Sequence, residues 1–376
     1  MRNRLKFGAA MGGLMALCSF SASAQELPDT MVWTSYDVGS AGYAEASAIA
    51  DAFGKEFGTR VRIQPSGSGI GRLQPLLQGR ADYAFLATEA FFLSEGAFDF
   101  ASPDWGPREL RAVAGRPAGI TLIAAGDAGI KTVADARGKR IAFVAGNPSV
   151  NVKCEAILAF GGLTLDDVEV VTFPTYSSAM SSMTRNESDA TCTTPTTSQL
   201  YELAESPRGI YYAPLHADNT EGWDGLKKVL PIMGPSDEDV AAGLPEGEVA
   251  KMAAYRYPVI TTTVGKSADD VYAFIKALDE TFDIYKSGTA TMSRWALEKS
   301  GRPAIDVPFH EGAVRYLKEK GIWTAEDDAW NVKRTERMDA LVAAWDTFKA
   351  ENADLSEEHF AAAWMAHRSE VVARLN

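Results

Sequence analysis

Met31-Val32-Trp33-Thr34, followed by Tyr36-Asp37-Val38-Gly39-Ser40-Ala41-Gly42-Tyr43, is the stretch whose reading decides the fold. An apolar run, a glycine turn and the small-residue run Ala44-Glu45-Ala46-Ser47-Ala48-Ile49-Ala50 spell strand, turn and helix. A helix start bared by such a turn offers backbone N–H groups and the positive end of a dipole, a place for a carboxylate or phosphate. Outward from it the same alternation continues. Strands are expected at 30–34, 60–64, 83–86, 111–114, 120–124, 140–144, 168–173, 190–194, 210–213 and 259–264. Helices are expected at 45–57, 73–78, 132–137, 152–160, 177–185, 197–204 and 267–287. This pattern predicts an α/β fold, parallel sheets covered by helices on both faces, with ligands beyond the carboxyl ends of the strands.

Two further turns repeat the first. Pro65-Ser66-Gly67-Ser68-Gly69-Ile70-Gly71-Arg72 fails the dinucleotide spacing, because Arg72 stands where the last glycine belongs. What remains is a hydroxyl-rich helix start with Arg72 suited to a bidentate grip on a carboxylate, or else facing solvent. In Ala145-Gly146-Asn147-Pro148-Ser149-Val150-Asn151, either Ser149 or Asn151 is placed to cap the next helix. Thr193 and Thr194 lie in a hydroxyl cluster at another strand end. Thr88, Glu89 and Asp37 hold similar positions, as acceptors for a ligand or as caps and solvated carboxylates. The candidate substrate-binding set is Tyr36, Asp37, Gly39, Ser40, Tyr43, Ser68, Gly69, Arg72, Thr88, Glu89, Asn147, Ser149, Asn151, Thr193 and Thr194.

Composition narrows the classes. Residues 1–24 read as a cleavable secretory signal: Arg2, Arg4 and Lys6, an apolar centre, then Ala22-Ser23-Ala24 before Gln25. Its removal takes the formal charge from −13, by loss of those three basic residues, to −16. Such acidity argues against nucleic acid and anionic lipid surfaces. No later segment is apolar for long enough to cross a membrane, so no direct insertion of the mature chain is expected. Cys154 and Cys192 form a disulfide in an oxidising compartment or remain buried thiols; both readings stand. The histidines, His216, His310, His359 and His367, lack zinc-ligand spacing, and no G-x-S-x-G elbow occurs. No enzyme, metal or cofactor is called for.

The chain resembles the TAXI family, the solute-binding proteins of tripartite ATP-independent periplasmic (TRAP) transporters, over residues 30–323. The resemblance rests on the first turn with Tyr43 and Ala48-Ile49-Ala50, on Leu73-Gln74-Pro75-Leu76-Leu77-Gln78-Gly79-Arg80-Ala81-Asp82, and on Asp127-Ala128-Gly129-Ile130-Lys131-Thr132-Val133. It extends to His310-Glu311-Gly312-Ala313-Val314-Arg315-Tyr316. The resemblance implies a two-lobed type II periplasmic binding protein fold with an interlobe cleft. It also implies a small organic acid as ligand, a carboxylate or amino acid, delivered to the integral membrane subunits of a TRAP permease. The departures fall in the turns: Asp37-Val38-Gly39-Ser40 and Gly69-Ile70-Gly71-Arg72 replace the family's usual hydroxyl-rich and acidic residues. A binding protein of an ATP-driven importer and a ligand-sensing partner of a membrane receptor are the alternatives.

The expected organisation has a signal peptide at 1–24, lobe I at 25–119 and 258–323, and lobe II at 120–257. A helical C-terminal extension follows at 324–376. Met338, Leu341, Val342, Trp345 and Phe348 keep helical spacing there, as do Phe360, Trp364, His367 and Val371, which suits two helices packed on the lobes.

Overall fold

The computed structural model describes residues 27–303 and 307–375. The expected signal peptide therefore lies outside the described residues. The first strands are β1 (Thr30–Ser35), β2 (Arg60–Pro65) and β3 (Tyr83–Leu86), separated by α1 (Ala41–Phe57) and α2 (Gly69–Leu77) and followed by α3 (Glu89–Glu95). β4 (Leu110–Ala125) leads into β5 (Arg140–Val144), β6 (Glu169–Phe173), β7 (Ala190–Thr193) and β8 (Ile210–Tyr212). Between these lie α4 (Pro148–Phe160), α5 (Tyr176–Ser182) and α6 (Ser198–Glu205). α7 (Thr220–Val229), β9 (Gly234–Glu238) and β10 (Ala250–Thr263) follow. The chain closes with α8 (Ala268–Glu280), α9 (Phe282–Tyr285), α10 (Leu297–Ser300), α11 (Glu311–Glu319), α12 (Ala325–Glu351) and α13 (Glu357–Ala373).

The strand order is β2-β1-β3-β10-β4-β7-β5-β6, with β8 beside β4 and β9 beside β10. β1 pairs in parallel with β2 and β3, and β5 with β6 and β7, so each half has a parallel core. The two halves meet on β4. Its residues from Leu110 to Ile120 pair antiparallel with β10, whereas Thr121–Ala125 pair with β7 and β8. The fold is thus a two-lobed α/β fold with long strands running from one lobe into the other.

The separate strands expected at 111–114 and 120–124 are one strand. Gly115 and Pro117 read as a break, yet β10 pairs alongside through Val259↔Gly115 and Arg256↔Pro117. Pro117 lacks only an N–H, and β10 shifts register between Arg256 and Val259, so the ladder absorbs it. The expected helix at 132–137 is a short 3₁₀ turn, Val133–Ala136. The helix expected at 267–287 divides into α8 and α9 at Thr281, whose hydroxyl donates back to the Ala277 carbonyl at 2.7 Å.

Lobe I is centred on Trp33, fully buried among Phe53, Phe85 and Phe274 at ring separations of 5.4–5.6 Å. The C-terminal helices form a second core. Leu341, Trp345 and Phe348 of α12 meet Phe360 and Trp364 of α13, with Trp345 and Trp364 4.7 Å apart. Trp364 Nε1 donates to the Gly96 carbonyl at 2.7 Å, fixing the extension to lobe I. Gly106, at φ +69°, leaves room for the Trp345 ring, which any Cβ there would strike.

Candidate ligand-binding cleft

The three glycine turns do come together, at the mouth between the lobes. In the first, Ser40 Oγ caps α1 by accepting from Tyr43 N at 3.1 Å. Gly39 has φ +92°, and a Cβ there would lie 2.9 Å from Gln199 Nε2. Its carbonyl accepts from Ser198 Oγ at 2.7 Å and from Ser198 N at 3.3 Å. Asp37 Oδ2 accepts from Ser177 N at 3.0 Å. In the second turn, Ser68 caps α2 through Gly71 N, and Gly69 N donates to the Gly146 carbonyl at 3.0 Å. In the third, Ser149 Oγ accepts from Thr88 N across the cleft at 3.2 Å. The lobes are therefore closed on each other.

This closure corrects the expected roles. The helix starts do not stand open to an anion: Ser40, Ser68 and Asn147 cap their own helices, and other donors and acceptors of the turns bond across the cleft. Neither Ser149 nor Asn151 caps α4. Asn147 does, accepting from Val150 N at 3.3 Å, while Asn151 clasps both the N–H and the carbonyl of Val144. Tyr43 is half-buried on α1 and does not line the cavity between the lobes.

Arg72 is neither solvent-facing nor open to a ligand. Fully buried, it pairs with Glu89 at 2.5 Å and donates to the Ser66 carbonyl at 3.2 Å. Its guanidinium lies 3.3 Å from the centre of the Tyr36 ring. Glu89, whose second oxygen accepts from Ala87 N, occupies the place expected of a ligand carboxylate. Sequence spacing could not reveal this pair, because α2 and α3 are brought together only by the sheet.

The cavity itself is walled by tyrosines. Tyr36 meets Tyr176 and Tyr257 edge-on, at 5.2 and 5.4 Å, and Tyr255 stacks on Tyr257 at 5.9 Å. Tyr176 OH bonds to Thr193 Oγ1 at 2.6 Å and Thr197 Oγ1 at 2.7 Å. Lys153 Nζ lies 4.0 Å from the Tyr255 ring centre. Ile120, Thr193, Thr194 and Cys192 complete the wall, and the enclosed volume is about 10 Å³, room for one water. Burial pushes the Tyr176 hydroxyl up to about 12, although bonds with Thr193 and Thr197 pull it down. Burial also raises Tyr36, Tyr255 and Tyr257, so all four remain neutral hydrogen-bond donors near pH 7.

Of the candidate set, Tyr36, Thr193 and Thr194 line this cavity; Lys153, Tyr176, Tyr255 and Tyr257 line it too and lie outside that set. Tyr255 and Tyr257 stand two apart on β10, a spacing that puts both on one face of a strand. That alternation was the available signal.

Cys154 of α4 and Cys192 of β7 are bonded, with Cα atoms 5.1 Å apart. The bond closes a loop of sequence separation 38 and pins α4 to the cavity wall. Its loss is expected to cost about 2–4 kcal/mol, mainly by freeing the unfolded chain. Urea unfolding with and without reductant measures this, and an unmoved midpoint would contradict it. Among the described residues no group of His, Cys, Asp and Glu is arranged to hold a metal ion, and no helix is long and apolar enough to cross a membrane.

A closed two-lobed α/β chain with a cavity against its crossing strands is the class that the geometry defines. Residues 37–321 match the NMT1-like family, and the chain belongs to that family. Among solved structures it is similar to a glutathione-bound ABC transporter/periplasmic binding protein from Brucella ovis. That pair has 14% identity and a TM-score of 0.43, covering 74% of this chain and 75% of that one. The periplasmic aliphatic sulphonate binding protein of Escherichia coli matches at 17% identity and a TM-score of 0.41, over 82% and 84%. An arginine-bound ancestral arginine-binding protein matches at 16% and 0.43, over 70% and 100%.

Proposed function

We propose that the chain is a periplasmic solute-binding protein, exported by its signal peptide, which captures a small organic acid between its lobes. It delivers that solute to the membrane subunits of a TRAP permease. The observation that carries this reading is the cavity wall. β4 and β10, which join the lobes, contribute Ile120, Tyr255 and Tyr257 to it, while lobe II contributes Lys153, Tyr176, Thr193 and Thr194. A space of about 10 Å³ admits no metabolite, so entry requires 120–257 to swing away from 25–119 and 258–323 about those strands. A carboxylate then meets Lys153 and neutral tyrosine hydroxyls rather than Arg72, which Glu89 already holds.

Calorimetry of the mature chain against a panel of carboxylates and amino acids tests this. Binding is expected to weaken roughly tenfold or more in Lys153→Gln, the usual worth of a charge-assisted hydrogen bond. Absence of binding across the panel would sink the proposal, and unchanged affinity in Lys153→Gln would remove that lysine from the ligand shell. Small-angle scattering should show a more extended apo form that contracts on binding. Uptake that stops when the ion gradient is collapsed, with ATP maintained, identifies the TRAP permease; ATP-dependent uptake identifies an ATP-driven importer instead.

A further inference from the structure

A second cavity, of about 570 Å³, lies away from the cleft where α11 faces α12. Its lining includes Arg111 of β4, only 9% exposed. Three arginines of the described residues are this deeply buried, and the other two hold carboxylates: Arg72 holds Glu89, and Arg116 holds Glu45. Arg111 does not. Its Nη1 donates to the Leu110 carbonyl at 3.1 Å and touches Met338 Sδ at 3.4 Å; among the described residues it forms no ion pair. A guanidinium carries five donors, so most of its capacity is unspent. Burial pulls its pKa down, and the charges of Asp339, Glu109 and Glu311 do not offset that desolvation.

His310 accepts from Gly312 N through Nδ1 and faces the Lys266 carbonyl through Nε2. Arg315 pairs with Asp269, and Lys318 with Asp328. Asn331 accepts from Phe309 N, and Thr335 donates to the Asn331 carbonyl. Glu311 also lines the cavity and its charge acts on Arg111 without an ion pair forming between them, so Arg111 keeps an unmet demand for an anion.

We propose that this cavity is a second ligand site, in which Arg111 binds the oxyanion of a small carboxylate or phosphate. A pocket of this size takes a small metabolite. Bound there, the anion bridges β4, α11 and α12 and so strengthens the seat of the C-terminal extension. The proposal does not depend on the cleft reading.

Titration of the mature chain with citrate and, separately, with inorganic phosphate tests it, read by calorimetry and by thermal midpoint. At least one of the two is expected to bind and to raise the midpoint. The pair of arms tells a carboxylate from a phosphate site. Arg111→Gln is expected to weaken binding roughly tenfold or more. Thr335→Glu, on the facing helix, should supply Arg111 with an internal carboxylate, raising the midpoint without added anion and abolishing the response to it. Lys153→Gln should leave this binding intact, which separates the site from the cleft. Absence of binding by both ions overturns the proposal, as does full binding by Thr335→Glu, which decides the matter even if Arg111→Gln does not fold.

Discussion

Glu95→Gln is expected to destabilise the protein by about 3–5 kcal/mol and to release residues 324–376 to protease. Glu95 ends α3 and is 1% exposed. Arg334, Arg337 and Arg368, all from the extension, converge on its carboxylate. Arg334 lies at 2.9 Å and Arg337 at 2.6 Å, while Arg368 pairs with it and also donates to the Glu95 carbonyl at 3.1 Å. One buried charge thus holds two helices against lobe I. Gln keeps the shape but leaves three cations around a neutral amide, which is the costly way to break a buried pair. Urea unfolding and limited proteolysis measure the two effects; an unchanged midpoint together with unchanged cleavage would refute this account of the docking.

The same contact sets an acid limit. Burial alone would raise the Glu95 pKa, but the Arg337 hydrogen bond and the charges of Arg334, Arg368 and Arg337 outweigh it, and the net shift is downward from 4.5. A folded pKa below the unfolded one means the stabilisation is complete above the unfolded value and is lost as pH falls through the folded one. The wild-type extension should therefore loosen on acidification below about pH 4. Glu95→Gln should flatten that limb of the stability profile.

How much of this was legible follows from what each signal depends on. Alternating strand, glycine turn and helix is local chemistry, so the α/β class could be read. The helical spacing of Trp345, Phe348, Phe360 and Trp364 likewise predicted packed helices, and these side chains are buried together. Charge pairing is different. Arg72 and Glu89 are 17 residues apart, and Glu95 and Arg368 are 273 apart, so no window of sequence contains the reason for either pairing. An arginine beside a glycine turn carries the same signal whether its carboxylate comes from a ligand or from the chain. The tyrosine wall was hidden for a related reason: Tyr36, Tyr176 and Tyr257 come from segments far apart in the chain and meet only in the folded protein.

The crossing point between the lobes depends on a second buried hub, and Glu45→Ala is expected to cost about 3–5 kcal/mol there. Arg116 of β4, 1% exposed, donates to Glu45 of α1 through Nε at 2.7 Å and Nη2 at 2.5 Å. Thr291 Oγ1 and Trp295 Nε1 donate to the same carboxylate at 2.8 and 2.7 Å. Truncation would strand a buried guanidinium, a hydroxyl and an indole N–H at once. The location makes the loss mechanical as well. Arg116 precedes Pro117, opposite Arg256 and beside the register shift of β10, where the ladder is least continuous. Arg256 Nη1 ties the other strand, donating to the carbonyls of Gly115 at 2.8 Å and Lys299 at 2.6 Å. On the proposed opening and closing of the lobes, Glu45 would fix to lobe I the point about which lobe II turns. Without it, closure should lose its defined geometry, so affinity for a cleft ligand falls along with stability. The double variant Glu45→Leu with Arg116→Met separates the two effects. Apolar replacement of the whole pair should recover much of the stability, because no buried charge remains uncompensated. It should not restore affinity, because the anchored crossing point is still missing. Recovery of affinity together with stability would show that the pair serves packing alone, and that the lobes close without it.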